Sequence, residues 1–527
     1  MHIKAFSSIL AVFAILVGPR VASACSGSLH IEIEQSGVYG LDYKTIAEQQ
    51  PTLADCRADQ LTLSHRDGDV PIRVVKWAET KPDPNARIEW VGHHLRGAES
   101  YNDAYSVNNV YLLHAAGEVP ARILDKEPTG SGRAVLGRTL HLEHDELMMR
   151  LDQQQQKPGE EPDFWEWAKL THVDPEPFST PFDLPDLIEH GLAEPGNDLA
   201  VTLNFRGLST LYIRTTEADK ALTDHLVEVT INGKSVGSLG WNGRDEVVKQ
   251  LKVARALLKQ RGNTLTMKVP KRFVSTDTKN PLVDVVMFNW VEMRFPIAGD
   301  LDAGTLALNV ESGADNPIEI AYRGEGLPVL MGDDGVRRVG KRIADGRYQF
   351  AAAPVGVAQY PLLDGKLAWP LLIRPVSATT DWHKPGQPFD YLMVSHKSLI
   401  EAARPLAEFH QSRGMKVALI DVDELYDQFN GGIPHPQAIR KFVDVAWHTW
   451  QKPRPRFLLL VGKASFDIRH DTYDDTKYAK WTSMELLSPN QFGTIGGTPY
   501  AEKPKTLAAS NLIPTWQYPS PEGQSAS

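Results

Sequence analysis

From Ile31 to Pro375 apolar positions recur in short alternating runs, and from Asp390 the rhythm changes to continuous apolar runs separated by helical patterns. Ile31-Glu32-Ile33, Leu61-Thr62-Leu63, Val70 to Val75 after an Asp67-Gly68 turn, and Asn108 to Leu113 show the period of two that a half-buried strand requires. With a helical piece around Tyr43 to Glu48, they predict an irregular β domain over 25–150. Residues 163–297 are more regular, with strands at Leu199 to Phe205, Thr210 to Thr215, Val227 to Ile231, Ser235 to Leu239, Asn263 to Val269 and Val285 to Phe295. Asn232-Gly233 suits the positive φ angles of a two-residue hairpin turn. Evenly spaced short strands predict a jelly-roll or β-sandwich. Shorter strands at Thr305 to Val310, Ile318 to Tyr322 and Gly346 to Phe350 make 298–380 a small β region and linker, and the polar segment 150–162 is an exposed connector.

The C-terminal segment, 389–527, reads differently. Tyr391 to Ser395, Lys416 to Asp421 and Arg456 to Val461 are continuous apolar strands of the kind a parallel sheet buries on both faces. Between them run two helices. The first has Leu399, Ala402, Ala403, Leu406 and Phe409 as its apolar stripe, with Gly414 after its end. The second has Pro436 near its start and a stripe of Ile439, Phe442, Val443, Ala446 and Trp450. The expectation is a doubly wound α/β unit, in which ligands collect beyond the carboxyl ends of the strands. His396, Asp421, Asp423, Lys463 and Asp467 are the cleft candidates on that ground.

At 527 residues the chain holds several domains. A net charge of −10 without a concentrated basic patch excludes a nucleic-acid partner. A basic start (His2, Lys4), an apolar stretch from Ala5 to Gly18 and Ala22-Ser23-Ala24 predict a signal peptide over 1–24, hence export. The destination is the periplasm, the cell surface or the medium of a bacterium, and no later segment approaches the ~20 apolar residues of a membrane helix. Cys25 and Cys56 are the two cysteines. Two readings stand: a lipid on Cys25, weakened by Arg20 close before it and by the lack of a leucine three residues ahead, or a Cys25–Cys56 disulfide favoured by an oxidising compartment. Neither sequence context supplies the base that a thiolate nucleophile needs.

Several clusters invite chemistry. His141-Leu142-Glu143-His144-Asp145-Glu146 resembles a metal motif, but on a strand His141 and Glu143 share one face and His144 takes the other. Gly462-Lys463-Ala464-Ser465 lacks the glycine-rich run of a phosphate loop. Asp421 and Asp423, with Asp467, Asp471, Asp474 and Asp475, have the hard oxygens calcium takes, without the spacing of a known loop. Ser395, His396 and Asp421 lack a G-x-S-x-G elbow.

Phe389 to His396, Ala402 to Ala407, Arg413 to Val417, Asp421 to Phe429, Gly432-Ile433-Pro434, Ile439-Arg440 and Phe457 to Gly462 resemble, in that order, the opening of the gingipain-type cysteine peptidase domain. The β regions before it, with Gly37-Val38-Tyr39, Asn108 to Leu112 and Asp224-His225, are similar to what precedes that domain in secreted relatives. The resemblance implies a caspase-like fold, protein or peptide substrates, and a histidine and cysteine dyad at later strand ends. It also leaves room for calcium, which the ligand spacing does not support. The chain has no Gly-His-Gly and no cysteine after Cys56, so no catalytic residue carries over. Lys463 stands where relatives carry an acidic residue. The expectation is therefore a partial, truncated peptidase domain, inactive by itself, whose missing C-terminal half is a partner. The rival is a secreted, non-catalytic binding or scaffold protein whose β-sandwich takes a protein or glycan, with Trp241 and Trp290 either stacking on sugar or buried in the core.

Overall fold

The structure is a computed structural model that describes residues 25–66, 68–77, 83–115, 120–148, 163–184, 198–211, 216–297, 307–376, 380–452, 454–462 and 469, and the backbone of 518–519 and 525–526. The signal-peptide segment, the connector at 150–162, and Lys463, Asp467, Asp471, Asp474 and Asp475 lie outside the described residues.

The N-terminal unit is built on an antiparallel sheet in the order Leu372–Pro375, Ser28–Ile33, Asn109–Ala115, Leu61–His65, Gly68–Val70. Alternation along these strands sends Leu29, Ile31, Leu61, Leu63 and Tyr111 to one side. There they share a core with Leu41, Ile88 and Trp90 of a three-stranded sheet, Gly37–Asp42, Arg87–Gly92 and Ile72–Val75. Cys25 and Cys56 are joined by a disulfide with a Cα–Cα distance of 4.7 Å, which fastens the start of this unit to the end of its short helical hairpin.

Beside it, a ten-stranded sheet faces a four-stranded one, Phe178–Phe182, Asn263–Lys268, His225–Ile231 and Lys234–Trp241. Leu203, Phe205, Val229, Leu265, Phe288 and Met293 fill the space between them. Asn232 and Gly233 have φ of +52° and +74°, the conformation of a hairpin turn between Ile231 and Lys234. Thr210 and Leu211, expected in a strand, are not part of one.

Strand pairing crosses the boundaries expected near 150 and 298. Val135–Glu143 lies between Val285–Ile297 and Leu308–Ser312 in the large sheet, and Ala358–Leu362, Val329–Gly332 and Val336–Val339 extend that sheet. Leu372–Pro375 returns instead to the N-terminal sheet, with Ile373 opposite Ile31. A period of two tells which residues of a strand are buried but not which distant edge the strand joins.

The α/β unit has three parallel strands in the order Val417–Asp421, Tyr391–Ser395, Phe457–Val461. Met393 and Val417 meet Ala403 and Ala407 of the helix Lys397–Ser412 on one face. Leu392, Val394, Ala418 and Ile420 meet Val422–Phe429 and Pro436–Thr449 on the other, through Leu425, Phe429, Phe442 and Ala446. Helices thus cover both faces. The second stripe is as expected, with Trp450 just past its helix. The first is rotated: Ala403 and Ala407 are buried, whereas Ala402, Leu406 and Phe409 are exposed. Among the described residues the strand Phe457–Val461 forms one edge of the sheet, with Phe457 47% and Leu458 45% exposed.

Candidate functional site

The carboxyl ends of the three strands come together in register, with Ser395 paired to Asp421 on one side and Val461 on the other. The first two strand ends turn into helices, and the turning residue caps each. His396 Nδ1 accepts from the Ser398 amide at 3.2 Å, and Asp421 Oδ1 accepts from the Asp423 amide at 3.1 Å. Burial pushes the Asp421 carboxyl up from its ordinary value, and the neighbouring Asp423 adds to the effect. Lys397 Nζ approaches the Asp423 carboxylate at 3.4 Å. Ser395 is fully buried and donates to the His396 carbonyl oxygen at 3.1 Å. Ser395, His396 and Asp421 are therefore neighbours committed to local backbone groups, and no side-chain hydrogen bond joins them into a nucleophile, base and acid. Lys463 and Asp467 lie outside the described residues, so the cleft is seen from two of its three strand ends.

The other clusters resolve differently. His141 Nε2 and Glu143 Oε2 are 2.7 Å apart, while His144 lies against Trp167 with ring centroids 4.6 Å apart. Among the described residues no group of three or more His, Cys, Asp or Glu side chains is placed to hold a metal ion. Trp241 is buried against Phe205 and His225, and Trp290 is half-buried beside His141. Trp241, at least, presents no open ring for a sugar.

Sequence reasoning passed over a cavity of about 1050 Å³ between the two β units. His65, His93 and His94 line it, and burial lowers the pKa of each. Tyr101 stacks on His141 at 3.7 Å between ring centroids, and Arg96 lies over its ring. Beside the cavity, Glu143, Asp145 and Glu166 are buried carboxylates that each have one oxygen without a hydrogen-bond partner. Burial pushes Glu166 up to about 8, Glu143 up to about 7 and Asp163 up to about 6. Arg469, from beyond the third parallel strand, reaches into this acidic region. The run His141 to Glu146 is visible in the sequence, but nothing in it says that His65, Tyr101 and Arg469 gather around His141 from distant positions.

Residues 384–525 match the sequence profile of peptidase family C25, the gingipain family, so the resemblance read from the sequence holds for that segment. Dimeric latent PorU from Porphyromonas gingivalis has a similar structure over 96% of this chain, with a TM-score of 0.59 and 14% identity. That likeness is one of fold, and the chain spans 45% of the length of that protein. A β-glucuronidase from Ruminococcus gnavus in complex with D-glucaro 1,5-lactone covers 46% of this chain and 48% of its own, at 10% identity and a TM-score of 0.14, which carries no argument. No curated protein matches the chain. Among the described residues no helix is long and apolar enough to cross a membrane, a statement that leaves strand barrels aside.

Proposed function

We propose that a chain whose segment 384–525 belongs to peptidase family C25 is the β-rich leading part and the opening α/β segment of an exported, gingipain-like cysteine peptidase. The observation that carries this reading is that the family match falls on a three-stranded parallel sheet with helices on both faces. Its order, second strand beside first beside third, is that of a doubly wound sheet and is compatible with a caspase-like domain. In such a peptidase a thiolate attacks the peptide carbonyl, a histidine moves the proton, and no cofactor is required.

By its residues, this chain alone does not cleave peptides. Its two cysteines are bonded to each other in the N-terminal unit, and His396 is engaged as a helix cap. The chain carries no Gly-His-Gly segment and no cysteine after Cys56, so in this reading the catalytic pair is supplied by other polypeptide. The substrate class is protein or peptide, and the signal-peptide pattern at 1–24 directs the chain out of the cytoplasm.

The test is proteolysis of a denatured protein by the purified chain, with and without a thiol-blocking reagent, alongside a version extended through any reading frame beyond codon 527. The expected result is no cleavage by the chain and thiol-sensitive cleavage by an extension that carries a Gly-His-Gly segment and a later cysteine. Thiol-sensitive cleavage by the chain itself, or no such extension in any frame, would sink the reading.

A further inference from the structure

The α/β unit is seated on the N-terminal sheet by the loop between its second and third helices. Gly431 and Gly432, at φ +60° and +86°, let this loop pass against the N-terminal unit. Ile433 is fully buried with Leu95 and Val110 of that unit. His435 packs edge-on against Tyr105 at 4.6 Å. The ionic centre of the seam lies one helical turn earlier. Asp427, on Val422–Phe429, is buried against His30 of the strand Ser28–Ile33 and Arg374 of Leu372–Pro375.

We propose that His30 is a proton switch on this seam: the imidazolium ties the α/β unit to the N-terminal sheet, and removal of its proton loosens the docking. His30 Nδ1 is 2.8 Å from Asp427 Oδ1, and Nε2 is 3.0 Å from Glu32 Oε1. Both ring nitrogens thus face carboxylates, and only the doubly protonated ring can donate to both at once. Without the second proton, Nδ1 accepts from Arg374 Nη2 at 2.9 Å and turns a lone pair toward Asp427. The ring then keeps its bonds within the N-terminal sheet and loses the one that crosses the seam.

The other elements around His30 bring no competing titration. The neighbouring strand Asn109–Ala115 places Leu112 opposite it, Asn108 donates to Glu32 at 2.9 Å, and the docking loop brings Gly432. Arg374 also donates to both Asp427 oxygens at 2.9 and 3.1 Å. Burial alone would lower the His30 pKa, but the bonds to Asp427 and Glu32 overcome it and hold the ring above the ordinary imidazole value. Burial likewise opposes ionisation of Asp427, and its bonds to His30 and Arg374 hold it below the usual carboxylate range. The sign follows: docking is strongest below about pH 6.5, the pKa of a free imidazole, and weakens as pH rises through the higher docked value.

The test is hydrogen exchange of the full chain between pH 5.5 and 8.5, corrected for the intrinsic pH dependence of exchange. Amides of 422–435 are expected to lose protection progressively as pH rises from about 6.5, since the difference in proton affinity between docked and free His30 carries directly into the docking equilibrium. His30→Asn, whose amide donates toward Asp427 without titrating, is expected to flatten the response. Should that variant not fold, Asp427→Asn serves, and is expected to leave the same amides poorly protected at every pH. Wild-type protection that is constant with pH, or a pH response that survives either substitution, overturns the proposal.

Discussion

Arg469 and Asp145 form a buried ion pair, with Nη2 2.6 Å from Oδ2, between the segment after the third parallel strand and the edge of the β units. The same guanidinium donates to the Asp103 carbonyl oxygen at 2.6 Å. Asn102 donates to the same Asp145 oxygen at 3.2 Å, so that carboxylate depends on Arg469 for its charge partner.

Replacing Arg469 with alanine should therefore leave a buried carboxylate unpaired and cost about 3–5 kcal/mol. Arg469→Lys should recover only part, because an ammonium cannot span the carboxylate and the carbonyl as a planar fork does. Urea unfolding of the three proteins measures the order wild type, lysine, alanine. A change below about 0.5 kcal/mol in the alanine variant, the range of ordinary surface substitutions, would mean the pair is not what holds this seam.

Gly432 should tolerate no side chain. A Cβ there would sit 2.6 Å from Val110 Cγ1 and 2.9 Å from His30 Nδ1, on a backbone with φ of +86°. Gly432→Ala combines left-handed strain with overpacking, and about 1–3 kcal/mol is expected. Thermal unfolding checks it, with Gly414→Ala as the comparison: Gly414 also has positive φ, at +87°, but open space around it. Equal losses at both positions would leave strain alone as the cause.

Stability should fall as pH rises above neutrality. Glu166, Glu143 and Asp163 titrate at about 8, about 7 and about 6 in the fold because burial opposes their charge. Unfolded, they ionise near pH 4. The folded chain thus binds more protons between those limits, so stability is greatest below the unfolded pKa and is lost on the way up to about 8. A decline of a few kcal/mol in urea stability between pH 5.5 and 9 is expected, with Glu166→Gln removing the upper part of it. A wild-type profile that rises over that range would contradict the burial of these carboxylates.

The sequence carried the α/β unit well because its elements are contiguous and the first two strands are each followed by a helix that covers the sheet. The second stripe, from Ile439 to Trp450, was legible as a pattern of three and four. The first was not: Leu406 and Phe409 are more apolar than the buried pair Ala403 and Ala407, so hydrophobicity alone pointed to the wrong side of the helix. The strand ends were placed correctly, yet His396 and Asp421 prove to be helix caps before anything else. The run His141 to Glu146 stood out in the sequence, but its companions Asp163, Glu166 and Arg469 and the junction at His30 did not, because they come together only through tertiary packing. His30 and Asp427 are separated by 397 positions.

The return of Leu372–Pro375 to the side of Ser28–Ile33 has a consequence for biosynthesis. As the polypeptide emerges from the ribosome or a translocation channel, its first sheet has all but one of its strands by Ala115 and then waits with an open edge. The strand that closes this edge arrives only after the whole sandwich block has been made. Such a non-local closure slows folding, and it leaves the leading unit adhesive toward other nascent chains until residue 375 has passed.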